Sequence, residues 1–278
     1  MFSKVYVEIT NICNLSCSFC HGTKRAPRRM SAGEFRCVLE KLRGHTRYVY
    51  FHLMGEPLSH PELPELLSIA AETDMSCCIT TNGFLLDKCA GTLLSAERLY
   101  KLSVSLHSFE ANRTDLTLEE YLDRVLDVAL PLSRKGCIVA LRLWNEGGEN
   151  ELNGRIKEQL RSRLGGDWQE NRSGSLRLAD RLYLENAAKF EWPDMDAPEC
   201  GVQFCRGLRD QIAVLCDGTV VPCCLDAEGD LALGNIFGQS LEEILETDRA
   251  AAFYEGFSNR RPSEELCRKC GYALRFNR

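Results

Sequence analysis

The stretch CNLSCSFC, Cys13 to Cys20, sets the terms for the rest of the chain. Its C-x3-C-x2-C spacing gathers three thiols on one short loop, directly behind an alternating apolar strand, KVYVEIT at 4–10. An iron–sulfur cubane that only carries electrons is held by four cysteines. Three ligands leave one iron free to bind something else. A structural zinc site is the competing reading, because zinc closes a four-coordinate shell of Cys and His. His21 would then be the fourth ligand, although it abuts Cys20 and paired zinc ligands normally stand further apart.

Cysteine usage bears on compartment. The 278 residues include 15 cysteines, and the opening MFSKVYVEIT lacks the apolar core of a secretory leader. No stretch approaches the roughly 18 apolar residues of a membrane span. A cytoplasmic location is expected, where thiols stay reduced and clustered cysteines serve as metal or catalytic ligands. A net charge of −6 offers no basic field, so neither nucleic acid nor a membrane is an expected partner. The local run Lys24-Arg25-Ala26-Pro27-Arg28-Arg29 reads as a solvated face, with neutralisation of a ligand carboxylate as the alternative.

Strand and helix signals alternate through the first two thirds. Ser31 with Glu34, and Thr117 with Glu120, have capping-box spacing ahead of apolar residues at helical period. Strands are expected at 47–53, 75–81, 99–107 and 137–145, with a sixth within 175–185; helices are expected at 61–72, 85–94 and 149–163. Strand followed by helix, repeated so, specifies parallel strands with crossover helices. The fold class expected is α/β, a partial (β/α)6 barrel open along one side. Its short motifs fall at the carboxyl ends of strands, where such folds place their chemistry. Near residue 186 the pattern changes, and Pro193 and Pro198 mark a linker. The expected division is a barrel at 1–190 and a small cysteine-rich domain, β-hairpin plus helix, at 191–278. In the latter, IAVLC and TVVPCC flank an Asp217-Gly218 turn, and Ser240 with Glu243 caps a short helix.

These residues resemble the radical S-adenosylmethionine enzymes. The resemblance implies that Cys13, Cys17 and Cys20 hold a [4Fe–4S] cluster whose free iron chelates the amino and carboxylate groups of S-adenosylmethionine. It places Phe19 against the adenine. MGEP (54–57) is similar to the family's Gly-Gly-Glu-Pro turn, with Met54 at its first glycine, so that Gly55 and Glu56 would meet the methionine amino group. Thr81 and Asn82 in ITTNG, and Ser105 in VSLHS, match the ends of strands three and four, near the ribose. Arg142 or Asn145 on strand five would hold ribose or carboxylate. His107 could orient substrate or move a proton; His52 and His60 are assigned structural roles. Cys37, Cys77, Cys78, Cys89 and Cys137 read as core.

The C-terminal part resembles the SPASM extension in its shortened, twitch form. Cys205, Gly218 and Cys223 fit its opening, and Cys267-x2-Cys270 follows. The further cysteines of a complete SPASM are missing, since Phe276 stands at one of their positions. The resemblance implies one auxiliary [4Fe–4S] cluster on Cys205, Cys223, Cys267 and Cys270. Cys224 rivals Cys223, while Cys200 and Cys216 are spare, as ligands, hydrogen-atom donors or buried thiols. A zinc ribbon is the competing reading of this region. The implied activity is reductive cleavage of S-adenosylmethionine to a 5′-deoxyadenosyl radical and hydrogen abstraction from substrate, with net oxidation aided by the second cluster. A redox-neutral epimerisation is the alternative within this chemistry. A two-cluster electron carrier or a zinc-stabilised binding module is the alternative outside it. With the first strand starting at residue 4, the expected substrate is a small molecule or short peptide. The implied electron donor is of the flavodoxin or ferredoxin type.

Overall fold

The computed structural model describes residues 1–172 and 174–277. Strands β1 (Lys4–Val7), β2 (Tyr48–Tyr50), β3 (Ser76–Thr81), β4 (Leu99–Ser105) and β5 (Ile138–Glu146) pair in parallel, in that order. Helices α1 (Ala32–Leu42), α2 (Leu63–Glu72), α3 (Leu86–Ser95) and α4 (Leu118–Arg134) make the crossovers, and α5 (Asn153–Leu164) follows β5. The sixth parallel strand is β8 (Leu182–Ala188), paired to β5. It is reached through antiparallel β6 (Gln169–Glu170) and β7 (Leu176–Ala179). The expected segment 175–185 is therefore a hairpin, turning where Arg181 takes φ +51°. Strand β2 is shorter than 47–53, although Phe51 N still donates to Cys78 O at 2.9 Å.

Alternation divides the two faces of the sheet, because successive strand side chains point oppositely. Val5, Val7, Val49, Cys77, Ile79, Leu102, Val104, Val139, Leu141 and Leu143 are all within 1% of full burial in the core under the helices. From α1, Phe35, Val38, Leu39 and Leu42 are fully buried against it. Both expected capping boxes, at Ser31/Glu34 and Thr117/Glu120, are formed. Residues of the other parity turn away from the helices and line a cavity.

The C-terminal part extends the same sheet. Strand β9 (Gln211–Val214) pairs in parallel with β1, Lys4 opposite Gln211 and Val7 opposite Val214. Antiparallel β10 (Thr219–Val221) and β11 (Gly234–Asn235) complete that edge, giving eleven strands in one sheet among the described residues. Beyond it come α6 (Leu241–Leu245), whose Ser240/Glu243 capping box is formed, α7 (Asp248–Ser258) and α8 (Glu265–Arg268). The linear strand order leaves the sheet open rather than closed. Among the described residues no helix is long and apolar enough to cross a membrane.

Candidate active site and its two cysteine clusters

The loop after β1 carries Cys13 and Cys20 exposed and Cys17 half-buried. Partial burial raises the thiols of Cys13 and Cys20. Two amides attend the sulfurs. Asn112 Nδ2 donates to Cys17 Sγ at 3.0 Å, while its Oδ1 accepts from Ser16 N at 3.2 Å. Asn82 Nδ2 donates to Asn14 Oδ1 at 2.9 Å and lies 3.9 Å from Cys13 Sγ. Hydrogen-bond donors aimed at sulfur favour the thiolate and any cluster it holds. Asn112 belongs to no motif in the sequence; only its place in the loop after β4 could have suggested it. His21 stacks on Trp192, ring centroids 6.0 Å apart.

The MGEP turn supports this loop from below. Gly55 has φ +75°, and a Cβ there would lie 2.3 Å from Thr10 O, so only glycine allows the approach. Glu56 N donates to Ile12 O at 3.0 Å. The Glu56 carboxylate turns inward, accepting from Leu58 N at 3.0 Å and Asn82 N at 2.8 Å. Burial outweighs these bonds and pushes its pKa up to about 7. Thr81 and Asn82 build the next turn, Thr81 Oγ1 accepting from Gly83 N and Asn82 Oδ1 from Phe84 N, both at 3.0 Å.

A cavity of about 270 Å³ opens beside the loop on the face of the sheet away from the helices. Phe19, Ser105, His107, Arg142 and Trp144 line it at the carboxyl ends of the strands. Phe19 packs on His107, centroids 4.6 Å apart, and Trp192 Nε1 donates to Phe19 O at 3.2 Å. The His107 Nδ1 sits 3.1 Å from Arg142 O, and burial lowers its pKa. Arg142 pairs with Glu185 at 3.2 Å and stacks over Trp144 at 4.4 Å. Asn145 lies outside this lining. Its amide donates to Glu149 O at 2.6 Å and exchanges bonds with Asn153, tying down the turn after β5.

Four C-terminal cysteines border a second cavity. Cys205, Cys223, Cys267 and Cys270 come from three separate segments and share it with Leu231, Phe253 and Phe257. Burial first, and neighbouring thiols second, raise Cys223 and Cys267 well above the ordinary range. Among the described residues no three Cys, His, Asp or Glu side chains converge as around one metal ion. The four cysteines instead border one small cavity, of about 20 Å³. A ring of buried neutral thiols in an apolar wall suits a polynuclear iron–sulfur group, which replaces their protons. Cys224 faces elsewhere, into the first cavity. Cys216 is buried, 3.8 Å from Arg25 Nη1, and Cys200 Sγ is 3.5 Å from Arg268 O.

Most of the basic run 24–29 is the exposed face expected, with Lys24, Arg28 and Arg29 at the surface, and Arg25 alone is drawn in. Arg25 holds the fully buried Glu8 carboxylate with two bonds, at 2.8 and 2.7 Å, and donates to Ala227 O at 2.8 Å. Arg28 Nε donates to Cys216 O at 2.8 Å, and Lys24 N to Glu228 Oε1 at 2.9 Å. The buried carboxylate at the end of β1 draws Arg25 inward, because an unpaired buried charge is costly. The cysteine loop is thereby tied to the C-terminal part.

An open parallel α/β sheet that presents three thiols beside one cavity and four around a second is the framework of an iron–sulfur enzyme. The chain belongs to the Radical SAM superfamily, which it matches over residues 7–152, and over 205–271 it matches SPASM, an iron–sulfur cluster-binding domain. It is thus a radical SAM enzyme with an S-adenosylmethionine-binding [4Fe–4S] cluster and an auxiliary iron–sulfur cluster. It is 32% identical over 127 residues to GTP 3′,8-cyclase of Chlorobaculum tepidum, an alignment covering 44% of this chain and 38% of that protein. The chain therefore spans about two fifths of the length of that curated relative. Among solved structures, BtrN in complex with AdoMet and 2-DOIA has TM-score 0.64 at 20% identity, covering 97% of this chain and 93% of that one. anSMEcpe with bound AdoMet has TM-score 0.65 at 12% identity, covering 99% and 91%. At such identities the likeness is one of fold.

Proposed function

We propose that this enzyme takes a hydrogen atom from an unactivated carbon of a small molecule or short peptide and completes a net two-electron oxidation. The product would be a dehydrogenated compound or one with a new C–S, C–O or C–C bond. One observation carries this reading: the two cavities share a wall. Leu225 and Tyr272 border both, and Cys223 faces the small cavity while the next residue, Cys224, faces the large one. A substrate in the large cavity is one layer of side chains from the auxiliary ligands, a short path for the departing electron.

Bound S-adenosylmethionine, given an electron by a flavodoxin- or ferredoxin-type donor, supplies a 5′-deoxyadenosyl radical. Cys13, Cys17 and Cys20 would hold the cluster that binds it, and Cys205, Cys223, Cys267 and Cys270 the auxiliary one. The chain's own part is to hold, aim and shield. Asn82 and Asn112 steady the sulfurs, and Gly55 and Glu56 brace the loop from behind. Phe19, Ser105 and Arg142 offer an aromatic face, a hydroxyl and a cation to the cofactor side of the cavity. Trp144, Phe190 and Trp192 wall it against water.

Epimerisation is the second reading, and the placement of Cys224 favours it over Cys200 or Cys216 as hydrogen donor. Cys224 lines the large cavity and bonds to the Tyr6 hydroxyl.

Reduced protein incubated with candidate substrates separates the roles of the two clusters by release of 5′-deoxyadenosine. Cys17→Ala is expected to abolish release, whereas Cys267→Ala keeps part of it and loses product. Normal cofactor cleavage by both variants would overturn the assignment.

A further inference from the structure

The large cavity runs past the cofactor side toward the opposite ends of the strands. The charge of its lining as a whole is one-sided. Four of its lining residues are cationic, Lys4, Lys101, Arg142 and Lys189, and none is Asp or Glu. This occurs in a chain whose net charge is −6. Lys4 opens β1, and Lys101 stands four residues before Ser105 on β4, about 13 Å deeper at ~3.3 Å per residue. The cysteine loop is at the far end, beyond the carboxyl end of β1.

Partners for these charges are few. Glu185, set behind the lining, accepts from both Lys101 at 3.1 Å and Arg142 at 3.2 Å. Lys189 is exposed and 3.7 Å from Glu191. Lys4 has no carboxylate within ion-pair distance among the described residues. Between them lies His52, on the cavity wall, whose buried Nδ1 has no hydrogen-bond partner among the described residues. Burial, then the charges of Arg142, Lys4 and Lys101, hold its ring neutral. Tyr6 and Tyr50 flank His52, ring centroids 5.2 and 6.1 Å away. Lys4, Lys101 and Arg142 on one cavity wall, with Glu185 the counter-charge that two of them share, favour an anion among them.

We propose that the deep end of this cavity is an anion subsite, in which Lys4 and Lys101, with Arg142 above them, take a carboxylate or phosphate group of the substrate. This deepens the oxidation reading and rests on it, since it assumes that substrate fills the space beneath the cofactor. It names the substrate class: an anionic molecule, anchored by its charge at the deep end, with the carbon to be oxidised held up toward the cysteine loop.

Trp144 and Trp192 on the cavity wall provide a signal that needs no turnover. Unreduced protein is titrated with pyrophosphate and, separately, with succinate, following tryptophan fluorescence; glycerol is the neutral control. Saturable quenching by either anion is expected. Pyrophosphate binding the tighter assigns a phosphate substrate, and succinate the tighter a carboxylate. Lys4→Gln and Lys101→Gln are each expected to weaken that affinity threefold or more, and the double variant tenfold or more. Lys4 is exposed and unpaired, so Lys4→Gln decides alone if Lys101→Gln does not fold. Absence of saturable binding, an equal response to glycerol, or less than a threefold change in Lys4→Gln overturns the subsite. That failure would leave cofactor cleavage untouched, and loss of cleavage in the Cys17 test would leave anion binding untouched, so the two readings fail separately.

Discussion

His52 sits in the sequence as an ordinary polar residue between two apolar ones, and its neighbours decide its chemistry. Burial and three nearby cations lower its pKa to about 3, against about 6.5 in an unfolded chain. The folded state therefore takes up fewer protons than the unfolded state at every pH between these values. Stability from this site is fully present above pH 6.5 and is lost as pH falls toward 3. Between pH 7 and 5 the loss amounts to about 2 kcal/mol. Urea titrations of the wild type and His52→Phe at those two pH values check this. The variant is expected to lose less stability on acidification by about that amount, and parallel losses would refute it. Neighbours also set one member of the basic run apart from the rest. Arg25 is drawn in by Glu8, a carboxylate that sits next to apolar strand residues and gives no sign of being buried.

At the scale of elements, local signals were legible and distant ones were not. All three capping boxes read from Ser/Thr-x-x-Glu spacing are formed, because each is a bargain between groups three residues apart. Their worth can be checked at α4, where Thr117 Oγ1 accepts from Glu120 N at 3.2 Å. Thr117→Ala is expected to cost about 1 kcal/mol, seen as a lower urea midpoint at unchanged slope. Helix α7 escaped the sequence reading although Thr247 caps it and Phe253 and Phe257 share one face. Its buried face is only Ala250, Phe253 and Phe257, too short a stripe to stand out as a helical period. The cysteine spacings singled out the three thiols of the loop after β1 and the four cysteines that the fold gathers at the second cavity. Asn112 left no such trace, because an amide reaching a sulfur 95 positions away is set by the fold alone. Nor could periodicity show that Asn145 would spend its amide on its own turn.

At the scale of the whole molecule, the pairing of β9 with β1 matters most, and nothing local announces it. The two strands are about 200 residues apart, and parallel pairing leaves no turn signature between them. Its consequence is physical. We propose the barrel as residues 1–190 and the cysteine-rich part as 191–278, yet the first of these ends at an unfinished edge. Without β9, strand β1 would expose its unpaired backbone groups and the core residues Ile212 and Val214 of β9 would be missing beside Val5 and Val7, and an unpaired sheet edge templates aggregation. Glu8 would lose the Cys216 amide, 3.3 Å away, and Arg25 would lose Ala227 O. A fragment of residues 1–190 is therefore expected to aggregate or to melt without cooperativity, even with its three-cysteine loop intact. Size-exclusion chromatography and thermal denaturation of that fragment test it. A monomer with a sharp transition would show that the barrel holds without the second part, and the shared wall between the cavities would then be a docking contact rather than a product of one continuous sheet.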